Sequence, residues 1–371
     1  MRHLLTILTL LLLSSTSLSQ QSPPPPQSPG ETVARLQAES AALLPLLESD
    51  LAKSFARATS SLPHISPRTI YRDKATRDCF TPDEITKLPP EAKANLAELT
   101  LDEAFYYTTR YGSPLAYARP LDILAAHNLP APANLHILDF GHGTIGHLRL
   151  LASLGAHTLG VEVDPILKAL YSQPSDTGLI PRADSNDAER AAAGSITLIQ
   201  GRWPADPDTI QAVNDAIPPA SLDLFISKNT LKRGYIHPDP ERSKDIDPRR
   251  LINLAVDDLT YCRAVADLTY CRAVADLLKP GALFMIYNLS PAQAPPDKPY
   301  IPWADGRSPF SRETLEQAGF EIIAFDHDDS VPARAMAHAL NWDAPNDQGH
   351  PSMNLESDLF AHYTLCRKKA Q

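Results

Sequence analysis

The sequence predicts an α/β protein whose core is a doubly wound, mostly parallel sheet covered by helices on both faces. Short apolar runs recur near residues 135–140, 158–163, 196–200, 221–227 and 282–289, the pattern of strands buried on both sides. A glycine-rich turn, Gly141 to Gly146, follows the first run and leads into a segment with helical periodicity. Two further strand-like runs, 320–325 and 358–367, close the chain as a hairpin pair.

Residues 1–19 carry Arg2, then Leu4 to Leu13, then small residues around Ser17 and Ser19, the layout of a secretory signal peptide cleaved after Ser19. They predict an exported chain, periplasmic or secreted, with a cytoplasmic chain as the alternative. Residues 20–30 are proline-rich and read as an extended spacer. Residues 31–57 read as an amphipathic helix that Pro45 breaks or kinks, and residues 62–90 as irregular chain. From 96 to 124 the reading is helix, turn and helix, with Tyr106, Tyr107, Tyr111 and Tyr117 crowded near Gly112 and Pro114. Residues 31–130 thus form a helical N-terminal segment, and residues 131–371 the main domain. The tyrosines either pack a helix onto the sheet or, with Arg110, line a pocket for a planar or anionic compound.

The stretch LHILDFGHGTIGHLRLLASLGAHTLGVEVDP, residues 135–165, is the most informative. Glycines at 141, 143 and 146 permit a tight turn, close approach of a ligand and close packing of the next helix. Glu162 near the end of the second strand is an acceptor for a ribose hydroxyl pair. A nicotinamide site would set a pyrophosphate at the helix N-terminus, where Asp139, two residues before the first glycine, would repel it. A cofactor with a cationic amino-acid end suits Asp139 better. The stretch resembles motif I of the class I S-adenosylmethionine-dependent methyltransferases, with Thr144 and Ile145 departing from its last glycine step. The resemblance implies a seven-stranded class I methyltransferase-like sheet with an antiparallel closing strand, S-adenosylmethionine as cofactor, and a lid formed by the segment before the motif. It implies cofactor contacts from Asp139, Gly141, His142, Gly143, Gly146 and Glu162. An exported enzyme would lack an obvious supply of this cytosolic compound.

After the second strand come a short helix at 165–171 and a polar insertion, 172–195. The third strand ends in Gly201, Arg202 and Trp203, where the family often carries an acidic residue for the adenine. Arg202 cannot accept that bond, and Trp203 either walls the adenine or packs in the core. The fourth strand ends at Ser227 and opens into Lys228, Asn229, Lys232, Arg233, Tyr235 and His237, a basic loop in an acidic chain. Loops at that sheet edge face the ligand crevice, so Lys228, Asn229, Lys232 and Arg233 are candidate acceptor contacts, with Ser227 beside the cofactor. Tyr235 and His237 are the candidate bases. A solvated basic loop is the plain alternative.

Residues 258–275 are a nine-residue tandem repeat, DLTYCRAVA twice, within an expected helix at 248–278. Nine residues are two and a half turns, so the copies present opposite faces, and the later copy is expected to pack on the sheet. Lys279, Pro280 and Gly281 read as the turn into the fifth strand. Helices are expected near 311–318 and 332–340.

The net charge of −10 argues against general nucleic-acid binding, and the loop lacks the Pro-Pro-aromatic motif of DNA amino-methylating enzymes. No integral membrane domain is expected, and the scattered histidines and cysteines suggest no metal site. The expected activity is methyl transfer to a small or medium-sized acceptor, anionic or aromatic. The rivals are an exported binding protein without catalysis and, less favoured, an NAD(P)-dependent oxidoreductase.

Overall fold

The computed structural model describes residues 30–108, 112–182, 194–237, 241, 268–292, 304–345 and 353–370. Within them the main sheet has strands β4 (His136–Phe140), β5 (His157–Glu162), β6 (Gly178–Ile180), β7 (Gly194–Gln200), β8 (Leu222–Lys228), β9 (Leu278–Ser290), β10 (Phe320–Asp328) and β11 (Phe360–Lys368). They lie in the order β10-β11-β9-β8-β4-β5-β7-β6. Strands β4, β5, β7, β8 and β9 pair in parallel, and β11 runs antiparallel between β9 and β10. This is the expected seven-stranded, class I methyltransferase-like sheet with its antiparallel closing strand. One edge strand, β6, is additional: it pairs antiparallel with β7 inside what the sequence presents as a polar insertion.

Alternation along the strands divides the core into two layers. Ile137, Leu224, Ile226 and Met285 face the layer that holds helix Gly146–Ser153 and the N-terminal helices. Leu138, Phe225, Phe284 and Ile286 face the other, with Val213 of helix Pro207–Ala216 and Tyr270, Cys271 and Val274 of helix Leu268–Leu277. That last helix carries the later repeat copy, which packs on the sheet as expected; the earlier copy lies outside the described residues. Lys279, Pro280 and Gly281 are not a turn ahead of a strand. They form a distortion inside β9, whose register against β8 shifts between Leu222↔Leu278 and Leu224↔Leu283, with Gly281 at φ +82°.

The N-terminal segment departs further from expectation. Pro45 ends helix Glu31–Leu43 in a single 3-10 turn, and a new helix, Asp50–Arg57, starts under a Ser49 cap. Residues 96–101 are not helical. Leu96–Leu101 is strand β3 of a small antiparallel sheet with β1 (Arg68–Asp73) and β2 (Cys79–Phe80). Arg68 fastens this sheet to the main domain through a buried pair with Asp176, 2.6 Å. Buried Glu103 accepts from Gly30, Val33 and Ile65 backbone N–H groups and so ties the first helix to the segment ahead of β4.

Among the described residues no helix is long and apolar enough to cross a membrane, and no cluster of histidine, cysteine and carboxylate side chains could hold a metal ion. Residues 1–29, with the expected signal peptide and most of the spacer, lie outside them.

Candidate functional site

β4 has β5 on one side and β8 on the other, so the strand order switches direction at β4, and the carboxyl ends of β4 and β8 are the place where open α/β sheets hold ligands. Asp139 stands at that end of β4 with no exposed surface. Its Oδ2 accepts from the Tyr117 hydroxyl at 2.6 Å and lies 2.6 Å from His147 Nε2. A carboxylate only accepts, so the imidazole proton is on Nε2. The two donor rings stack, 3.8 Å between centroids and 1° from parallel. Asp139 Oδ1 is buried with no partner.

The glycine turn is shaped by what surrounds it. Gly141 sits at φ +77°, and a Cβ there would stand 2.1 Å from Thr230 Oγ1, whose hydroxyl donates to the Gly141 carbonyl. At Gly146 a Cβ would meet the Tyr107 carbonyl at 2.5 Å, the space that seats the helix against the N-terminal segment. Gly141→Ala should therefore cost about 1–3 kcal/mol of stability from strain and crowding together. Thermal denaturation checks this, and an unchanged midpoint would contradict it. Removing the Thr230 side chain as well should restore only the part due to crowding, because the positive φ remains.

Glu162 is buried at the end of β5. It accepts from the N–H of Gly143 at 3.2 Å and of Val163 at 2.7 Å. Burial nonetheless pushes its carboxyl up to about 7, with Asp164 adding repulsion. His142, inside the turn, packs on Gly160 and directs Nδ1 to the Thr144 carbonyl. Burial lowers its pKa to about 4, so it is neutral near pH 7.

Lys228 ends β8 with its Nζ 5.3 Å from the centroid of the Tyr117 ring. Burial lowers its pKa to about 8 despite the Asp139 charge. Lys232 is also buried; its ammonium donates to the Leu289 carbonyl at 2.6 Å and lies over the Tyr235 ring. Burial, then Lys228, brings its pKa down to about 7.

The remaining sequence candidates fall in varied places. Ser227 donates to the Phe140 carbonyl and locks β8 to β4 rather than facing a crevice. Asn229, at φ +65°, accepts from Leu289 N–H and shapes the loop. Arg233 is exposed beside Asp305, Tyr235 is buried, and His237 is exposed at the end of a single helical turn. Arg202 is exposed. Trp203 is 2% exposed among Phe140, Phe225 and Tyr270, which is the packing role rather than an adenine wall.

Tyr106 and Tyr107 do not line a pocket. Both are fully buried, with hydroxyls donating to Asp176 and to the Pro63 carbonyl, and Arg68 of β1 and Tyr171 pack on the Tyr106 ring. Arg110 and Tyr111 lie outside the described residues. In the buried cluster, Tyr117 was read from the sequence only as one of four crowded tyrosines, and His147 was not among the candidates. His147 carried a signal, a polar residue beside the inward-facing Leu148, Leu150 and Leu151 of its helix.

No family model matches the chain, and no curated protein matches its sequence. Among solved structures it is similar to the [4+2]-cyclase SpnF, with 15% identity, 68% of this chain and 81% of that chain covered, and a TM-score of 0.35. It is also similar to a Haemonchus contortus phospholethanolamine N-methyltransferase 2, with 12% identity, coverage of 74% and 62%, and a TM-score of 0.39. A third is the CurJ carbon methyltransferase, with 11% identity, coverage of 69% and 54%, and a TM-score of 0.31.

Proposed function

We propose that this chain, built on a class I methyltransferase-like sheet, binds S-adenosylmethionine at the carboxyl ends of β4, β5 and β8 and transfers its methyl group to a small acceptor. The observation that carries this reading is Asp139 Oδ1, a buried carboxylate oxygen with no partner at the head of the glycine turn. Leaving such an oxygen unsatisfied costs about 1–3 kcal/mol, a cost that a cationic amine removes. A pyrophosphate would instead be repelled by it, which disfavours a nicotinamide cofactor.

The residues present fit the sulfonium compound. Asp139 would hold its ammonium group, the Gly141–Gly143 backbone would accommodate close approach, and Glu162 would take the ribose hydroxyls in place of a backbone N–H. When bound, the compound supplies an electrophilic methyl group on a positively charged sulfur. Little else is asked of the protein than alignment and exclusion of water. Tyr117 and His147 fix the Asp139 carboxylate, and the Thr230 hydroxyl braces the turn from the β8 side. The loop after Lys228 carries the exposed Arg233 and His237. It supports an anionic acceptor, with His237 the more accessible of the two candidate bases. That exposure of His237 also favours the second reading, a binding protein that holds the sulfur compound without turning it over.

Isothermal calorimetry with S-adenosylmethionine, S-adenosylhomocysteine and NAD tests the reading. Both sulfur ligands should bind and NAD should not. Folded protein that binds neither sulfur ligand would overturn it.

A further inference from the structure

We infer that Lys228 anchors the carboxylate of the ligand's amino-acid end, so that Asp139 and Lys228 together form a receptor for a zwitterion. This rests on the S-adenosylmethionine reading above and moves Lys228 from the acceptor side of the site to the cofactor side.

The sheet register places both groups on one face. Asp139 on β4 is paired with Ile226 on β8, and Lys228 is two residues beyond Ile226, so the side chains of Asp139 and Lys228 project into the same layer. That layer is the one occupied by Tyr117 and His147. Tyr117 connects the two: its hydroxyl is on Asp139 Oδ2 and its ring face lies under the Lys228 ammonium.

Yet the two buried charges do not meet. No hydrogen bond or ion pair joins Lys228 to any described residue, while Asp139 Oδ1 has no partner. Opposite charges taken out of water offset their desolvation only when they close on one another or on a third group. Here an ammonium with free donors and a carboxylate oxygen with free lone pairs flank one aromatic ring. An α-amino acid group carries the complementary pair, an ammonium for Asp139 and a carboxylate for Lys228. Among the described residues of the loop after β8, the buried Lys232 is already committed, because it donates to the Leu289 carbonyl. Arg233 is exposed and paired with Asp305. Among the described residues of the loop after β8, Lys228 is the cation with unspent donors.

Binding of S-adenosylmethionine and of decarboxylated S-adenosylmethionine, which keeps the ammonium and lacks the carboxylate, tests the assignment on wild type and Lys228→Met. Wild type should prefer the intact compound by about 10–100-fold, the range of a hydrogen bond between charged groups. Lys228→Met should bind both alike, and its binding of the decarboxylated compound also shows that the variant is folded. A variant that retains the wild-type preference would overturn the role of Lys228 and leave the cofactor reading standing. So would a wild type that binds both compounds equally. A wild type that binds neither would overturn the cofactor reading and this inference with it.

Discussion

Replacing Asp139 by alanine is expected to lower the free energy of unfolding by about 3–5 kcal/mol, the range for removing one partner from a buried charged network. Three losses combine. The Tyr117 hydroxyl and the His147 Nε2–H lose their acceptor inside a layer that water does not reach, and Lys228 loses the neighbouring negative charge that favours its protonated form. These losses are coupled through the stacked Tyr117 and His147 rings and should not add as independent terms. Asp139→Asn separates structure from function. Its amide oxygen can still accept from Tyr117 and His147, so most of the stability should return. Its amide nitrogen would occupy the place of Oδ1 and present donors to a cationic amine, so binding of S-adenosylhomocysteine should be lost with alanine and asparagine alike. Urea unfolding and calorimetry on the two variants check both halves. An alanine variant within about 1 kcal/mol of wild type would show that the cluster is not held by this carboxylate.

The contrast between Asp139 and the tyrosines explains how much of the molecule was legible in the sequence. Strands β4, β5, β8 and β9 were legible because each is buried on both faces and needs an apolar run. The glycine turn was legible because Gly141 and Gly146 have no room for a side chain. Strand β3 was not, because its alternation is short and its partner is the distant β1, with Arg68 opposite Leu101. Strand β6 was hidden for a similar reason, being three residues on an edge in a polar stretch. The roles of Tyr106 and Tyr107 depend on acceptors 70 and 44 residues away, which local spacing cannot reveal. Trp203 looked like a ligand wall from its place after a strand. Its three aromatic neighbours come from β4, β8 and the helix before β9, and only the assembled sheet brings them together. The charged members of the site were found more readily than their partners. Asp139 and Lys228 stand beside recognisable strand ends, whereas Tyr117 arrives from the preceding segment, 22 residues before the carboxylate it holds.

Relative to wild type, Glu162→Gln should gain about 3 kcal/mol of stability in the ligand-free protein between pH 4 and pH 8. The folded-state pKa of Glu162 is raised to about 7 from its ordinary value of 4.5. Between those values the folded protein holds a proton that the unfolded chain has released, so stability falls as pH rises through this window and levels off above 7. Glutamine does not ionise and so removes that slope; its amide nitrogen cannot accept from one of the two backbone N–H groups, an offset that is constant with pH, so the change in the difference between the two proteins isolates Glu162 from other groups that titrate nearby. Urea midpoints at pH 4, 6 and 8 measure it, and parallel curves for wild type and variant would refute it. The same ionisation should couple to the ligand. Donors from a ribose hydroxyl pair favour the charged carboxylate, so S-adenosylhomocysteine should bind wild type more tightly as pH rises from 6 to 8. Glu162→Gln should bind more weakly at pH 8 and lose the part of the pH dependence that Glu162 supplies. A carboxyl whose charge burial disfavours until a ligand supplies its hydrogen bonds would thus cost stability in the ligand-free protein at pH 8 and return it on binding.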